Sequence, residues 1–222
     1  MQLVPISVDQ LVGNMLGTYY VEQLLGHGNM SAVYLATQQV TNQKVMLTAF
    51  ILPNTFSAQA RELFKMRFSQ EATSLTRLQH PHILPVNDFG DQYGYPYFVT
   101  PLVTSGSVAK LLKQRGRLTP EETLAILKQV AAALDYAHSC GMVHGSLKPV
   151  NLILDEQQKV WIAGFGLASM LKMQGIMESP LPHAHLLNIG GTFLGTAEYV
   201  APEVVRGAPM DARADIYALG IT

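Results

Sequence analysis

Between residues 18 and 51 three runs, 18–24, 31–38 and 44–51, read as strands, and from 58 to 79 a helical period takes over. In that longer stretch Phe64, Phe68, Ala72, Leu75 and Leu78 recur three and four residues apart. A period near 3.6 marks an amphipathic helix. The chain is therefore expected to build sheet first and then lay a helix on it. Gly26-His27-Gly28-Asn29 reads as the turn between the first two strands, and further strands are expected around 83–89 and 97–102. Thr119-Pro120-Glu121-Glu122 is a capping box with proline at the first helical position, and Leu124, Leu127, Ala131 and Leu134 carry a long helix that Gly141 ends. A strand-rich first half and a helix-rich second half, with no internal repeat, describe two lobes of an α+β fold.

Composition excludes several functions. Only 14% of the 222 residues are charged, below the roughly 25% usual in soluble domains, and the net charge is −1. That balance offers no basic surface for nucleic acid or anionic lipid. The single cysteine, Cys140, cannot close an internal disulfide, which favours a reducing, cytoplasmic setting. Residues 1–17 lack the leading Lys or Arg of a signal peptide, and no apolar run reaches the 18 residues of a membrane span.

The order of the remaining motifs carries more information than any one of them. Gly26-His27-Gly28-Asn29-Met30-Ser31-Ala32-Val33-Tyr34 is followed by Arg67-Phe68-Ser69-Gln70-Glu71-Ala72 and by His80-Pro81-His82-Ile83-Leu84. Then come His144-Gly145-Ser146 through Asn151, Gly164-Phe165-Gly166, Gly195-Thr196-Ala197-Glu198-Tyr199-Val200-Ala201-Pro202-Glu203, and Asp211 through Tyr217. In this order the segments resemble the signature set of protein kinases, most closely the eukaryotic-type Ser/Thr kinases of bacteria, from about residue 16 to the end. The resemblance implies a bilobal fold, with a five-stranded antiparallel sheet and one helix in an N-lobe at 16–103. A mainly helical C-lobe follows at 104–222, and residues 1–15 form an N-terminal extension. Because Thr222 falls soon after the start of the helix carrying Asp215, the chain is expected to be a kinase domain truncated at its C-terminus, either a fragment of a longer protein or a degenerate product.

Residue by residue, the catalytic functions that the resemblance implies are missing at three positions. The strand lysine that holds the α- and β-phosphates and pairs with the helix glutamate corresponds to Thr48, within Val45-Met46-Leu47-Thr48. Lys44 lies four residues back, about 13 Å away at ~3.3 Å per residue, and is a poor substitute. The catalytic base corresponds to Ser146 and the principal metal ligand to Gly164. Glu71, Lys148 and Asn151 match the ion-pair glutamate, a phosphate contact and the second metal ligand, yet cannot assemble a metal site alone. Glu71 lies between Phe68 and Leu75 on the buried side of its helix, where without a lysine it must find another donor, turn outward or take up a proton. Gly145 replaces the arginine that grips a phosphorylated loop, so phosphorylation at Thr192 or Thr196 lacks its usual partner. The pair His183 and His185 is a weak metal pattern beside the reading of a solvated loop.

By the same resemblance a nucleotide site would involve Gly26, Gly28, Val33, Met46, Thr100, Pro101, Val103 and Ile153. Ser31 stands where the third loop glycine would, and Met46 where a small alanine borders the adenine, so a thioether either fills that space or is plain strand filler. No cofactor is required, and weak metal-independent ATP binding is the form left open. The packing frame is expected to survive: Leu75, Val86, Phe165 and His144 match a column of side chains that kinases stack through both lobes, anchored by the aspartate matching Asp215. The leading expectation is a catalytically inactive pseudokinase serving as a regulatory or binding module for an unidentified protein partner. The alternatives are an ATP-dependent Ser/Thr kinase with unconventional residues and a non-functional gene fragment.

Overall fold

The computed structural model describes residues 8–27, 30–53, 56–104, 106–166 and 197–222. They divide into two compact units. Unit 1 holds the described residues up to Thr76 together with Pro85–Leu102, and unit 2 holds Arg77–Leu84 and the described residues from Val103 onward.

Unit 1 is an antiparallel sheet of β1 (Met15–Leu16), β2 (Tyr19–His27), β3 (Ser31–Gln38), β4 (Gln43–Phe50), β5 (Asp88–Gln92) and β6 (Tyr95–Pro101), in the order β1-β2-β3-β4-β6-β5. It has six strands rather than five. The extra one arises because Met15 and Leu16 pair with Tyr20 and Tyr19, and Leu11 and Leu16 enter the buried core. The turn read at Gly26-His27 is corrected as well: after a register shift, Gly26 and His27 still pair with Val33 and Ala32, so β2 runs on to His27. The strand expected at 83–89 starts only at Asp88, since Pro85 has no amide to donate to a ladder.

The alternation in β4 sorts its side chains to two faces. Val45, Leu47 and Ala49 join Tyr34, Tyr97 and Val99 in one apolar core. Met46, Thr48 and Phe50 take the opposite face. There α1 (Ala58–Leu75) lies on the sheet, with the Phe64 and Phe68 rings 5.6 and 5.5 Å from that of Phe50. Ser57 caps α1 by accepting the Ala60 amide. The helix stops at Leu75, short of the expected Gln79, and its buried residues Ala60, Phe64, Phe68, Ala72 and Leu75 follow the sequence period.

Unit 2 contains α2 (Val108–Arg115), α3 (Pro120–Ser139), the hairpin β7 (Leu152–Leu154) and β8 (Val160–Ile162), α4 (Pro202–Val205) and α5 (Ala212–Ile221). Both halves of the expected capping box form at Thr119 and Glu122, and Gly141 takes φ +74° just past the end of α3. Val130, Ala133, Leu134 and Ala137 give α3 a fully buried stripe, and Gln129 Oε1 accepts the Val160 amide 2.9 Å away, fixing α3 against β8.

Candidate functional site

The residues singled out by sequence fall in both units. In unit 1, Thr48 is 8% exposed and pairs in register with Val33 on one side and Phe98 on the other. Its short neutral side chain thus sits in an apolar row beneath α1. The one cation of β4, Lys44, is engaged elsewhere. Its Nζ pairs with Glu22 Oε1, which also accepts from Thr37 Oγ1. Those two hydrogen bonds, with Lys44 foremost, hold the Glu22 carboxyl below its ordinary value. Glu71, one turn beyond Phe68, is half-buried and has a partner of its own.

Met46 is half-buried and lies opposite Thr100 in the β4–β6 ladder. Thr100 is 4% exposed, and its Oγ1 has no hydrogen-bond partner among the described residues. Val33 and Pro101 are half-buried in the same unit, while Val103 and Ile153 are half-buried in unit 2, where Ile153 bridges Ser107. A Cβ built on Gly26 would meet nothing within 4 Å, so protein packing does not demand glycine there. Gly28, Thr192, Thr196, His183 and His185 lie outside the described residues.

Unit 2 carries the best-defined geometry, centred on Asp215, which α5 buries completely. Its Oδ2 accepts from the His144 amide and from His138 Nε2, each at 2.8 Å, and its Oδ1 accepts from the Gly145 amide at 2.8 Å. One carboxyl group thereby fixes the backbone of the His144-Gly145-Ser146 triplet. His138 was not singled out by sequence reasoning. The signal available was its place on the buried side of α3, one residue after Ala137.

His144 is 0% exposed and its tautomer follows from its neighbours. Nδ1 accepts from the Ser146 amide at 3.2 Å, so the proton sits on Nε2, which donates to the Ala163 carbonyl at 3.0 Å. Burial pushes its pKa down, and the Asp215 charge and the Ala163 carbonyl offset this only in part. A neutral imidazole bonded at both nitrogens is a structural group with no free lone pair for proton transfer. The Phe165 ring stands edge-on to it, centroids 4.6 Å apart. In unit 1, Leu75 and Val86 are 3% and 9% exposed.

Next to this scaffold the chemical groups are sparse. Asn151 Nδ2 donates to the Ser146 carbonyl at 2.8 Å, which leaves its Oδ1 as an acceptor. Ser146 offers a neutral hydroxyl and Gly164 no side chain. Magnesium, which relies on carboxylate oxygens in such sites, does not fit this set. Among the described residues no three His, Cys, Asp or Glu side chains group as a metal site requires. Two of the departures share a backbone property: Gly145 has φ +71° and Gly164 φ +88°, the left-handed region that side chains resist.

Comparison with known proteins places this geometry. The family model described as the protein kinase domain matches residues 19–222. Among curated relatives, the serine/threonine-protein kinase PknD of Mycobacterium tuberculosis is 36% identical over 208 residues, covering 94% of this chain and 29% of the relative. The kinase PknH of the same organism is 34% identical over 211 residues, covering 95% and 31%. The chain thus spans about a third of the length of these relatives. A crystal structure of the M. tuberculosis PknI kinase domain superposes with TM-score 0.67 at 31% identity, covering 93% of this chain and 71% of that one.

Proposed function

We propose that this chain, which belongs to the protein kinase domain family and is related to bacterial Ser/Thr kinases, is a catalytically inactive pseudokinase that serves as a regulatory or binding module. The observation that carries the reading is the chemistry at three positions. Thr48 supplies no cation for phosphates, Ser146 no base and Gly164 no metal ligand, while Lys44 is already paired with Glu22.

Magnitudes support inactivity over a slowed kinase. A positioned general base contributes about 10²–10⁴-fold, and each lost electrostatic group costs on the order of 10²–10³-fold. From a turnover of about 1–100 per second, even strongly non-additive losses leave a rate of little use for signalling. The intact bonds of Asp215 to the His144-Gly145 backbone support a frame retained for binding. Lys148 and Asn151 remain as contacts for a nucleotide held weakly and without metal. The binding partner is a protein in the cytoplasm, in keeping with the near-neutral charge; no helix among the described residues is long and apolar enough to cross a membrane.

Radiolabelled ATP with Mg²⁺ or Mn²⁺ tests the reading. The expected result is no label transferred to the chain or to generic protein substrates. Label incorporation that disappears in Asn151→Ala would overturn it.

A further inference from the structure

One cluster of titratable groups lies outside the kinase-like site. In unit 2 the turn that follows α1 is fastened to α3 by aromatic side chains. The His80 ring stacks on the Tyr136 ring, centroids 5.3 Å apart and planes 24° from parallel. The Gln79 amide donates to the Tyr136 hydroxyl at 3.2 Å. Within the turn, His80 Nδ1 accepts the His82 amide at 3.1 Å, and the two imidazole centroids are 5.6 Å apart. His82 Nδ1 donates to the Val160 carbonyl at 3.0 Å, while the His82 carbonyl accepts the Ile162 amide at 2.9 Å.

We propose that His80, His82 and Tyr136 form an acid-released clasp, in which neutral His80 closes the 79–83 turn against Tyr136 of α3 by accepting the His82 amide, and protonated His80 loses that bond and opens the turn.

The two histidines respond differently to a proton because their bonds have opposite sense. His82 already donates through Nδ1, so a proton added at Nε2 leaves its bond to Val160 intact. His80 accepts through Nδ1, and a proton there sets an N–H against the N–H of His82, replacing an attraction by a clash of donors. The groups facing His80 among the described residues are the Tyr136 phenol from α3 and the His82 imidazole from its own turn, with no carboxylate among them. Burial and the His82 charge accordingly hold its pKa below the ordinary 6.5. A depressed histidine leaves the clasp closed above 6.5 and opens it as pH falls through the folded value. In sequence the turn lies between Thr76 and Pro85, both of unit 1, so its release changes how the segment between these two stretches is tethered in unit 2.

Residue-resolved NMR on the whole chain tests the clasp. His80 ring shifts would be followed from pH 7.5 to 5.0, with amide hydrogen exchange corrected for intrinsic rates. Protection at the His82 and Gln79 amides should fall several-fold in step with His80 titration, while the amide of buried Leu134 on α3 stays protected. In His80→Phe, which keeps a ring on Tyr136 but has no acceptor, His82 protection should be low at both pH values. The proposal is overturned by His82 protection that is equal at the two pH values in the parent, by Leu134 losing protection together with it, or by pH dependence that persists in His80→Phe. Should that variant fail to fold, the parent titration decides.

Discussion

Gly145 donates its amide to Asp215 Oδ1 at 2.8 Å while its own backbone stands at φ +71°. The bond ties the residue to α5 in a conformation that glycine adopts freely and other residues resist. Gly164, at φ +88°, repeats the situation where the family resemblance places a metal-binding aspartate. At both positions a glycine stands where the family resemblance implies a functional side chain, and it avoids backbone strain that for a non-glycine residue costs on the order of 1–3 kcal/mol.

Gly145→Arg and Gly164→Asp should therefore each destabilise the chain by about 1–2 kcal/mol. The aspartate should cost less, because Asp tolerates left-handed backbone better than most residues. Urea denaturation of the single variants measures this. Equal stability of Gly145→Arg and the parent would show that the backbone at 145 is not left-handed in solution.

Packing and chemistry should separate in a second pair. Phe165 is 5% exposed and edge-on to His144, so Phe165→Ala should cost roughly 3–5 kcal/mol, as large-to-small core changes do. Ser146 is held through its amide and carbonyl, by His144 Nδ1 and Asn151 Nδ2, and both bonds survive truncation of its side chain. Ser146→Ala should shift stability by no more than about 0.5 kcal/mol. Denaturant melts compare the two, and a neutral Phe165→Ala would mean that the Gly164-Phe165-Gly166 segment does not pack on His144.

Stability should fall in mild acid, and the sign follows from the histidines. Burial holds both His144 and His80 below the ordinary 6.5, so below that pH the unfolded chain binds more protons than the folded one. Their contribution is complete above 6.5 and is lost as pH falls through the folded values, with a slope of up to about 1.4 kcal/mol per pH unit for each proton. Glu22, Glu122, Asp155 and Asp211 have carboxyls lowered by hydrogen bonds, so they act only in stronger acid. Urea midpoints at pH 8, 6.5 and 5 provide the check, and a midpoint that rises toward pH 5 would contradict the neutral, buried His144.

Nucleotide should stabilise the chain only slightly, and equally with and without Mg²⁺. By the family resemblance Gly164 stands where the principal metal ligand would be, and the half-buried Met46 lies opposite Thr100 in the β4–β6 ladder. Met46→Ala should enlarge the thermal shift given by ATP, and Gly164→Asp should make that shift depend on Mg²⁺. A large stabilisation of the parent that requires Mg²⁺ would mean that a metal site exists after all.

Local order in the chain carried the family and the broad division into sheet and helix. Both are written in short stretches: a period of 3.6, a capping box at Thr119, a run of motifs in which the family resemblance sets Thr48, Ser146 and Gly164 where charged groups would stand. It also pointed to Phe165 and His144 as neighbours, though only through resemblance. Tertiary structure decided what those residues bond to. The resemblance named Asp215 as the anchor of that column, but nothing within a few residues of His144 foretells that this carboxylate, 71 positions later, will collect its amide, that of Gly145 and the ring of His138. The left-handed backbone at Gly145 and Gly164, the pairing of Lys44 with Glu22 across strands, and the extension of β2 to His27 were set in the same way. Periodicity reports which face of an element is buried, because burial depends on the element's own geometry. A hydrogen bond between residues far apart in sequence depends on where two elements come to rest, and only the packed chain fixes that.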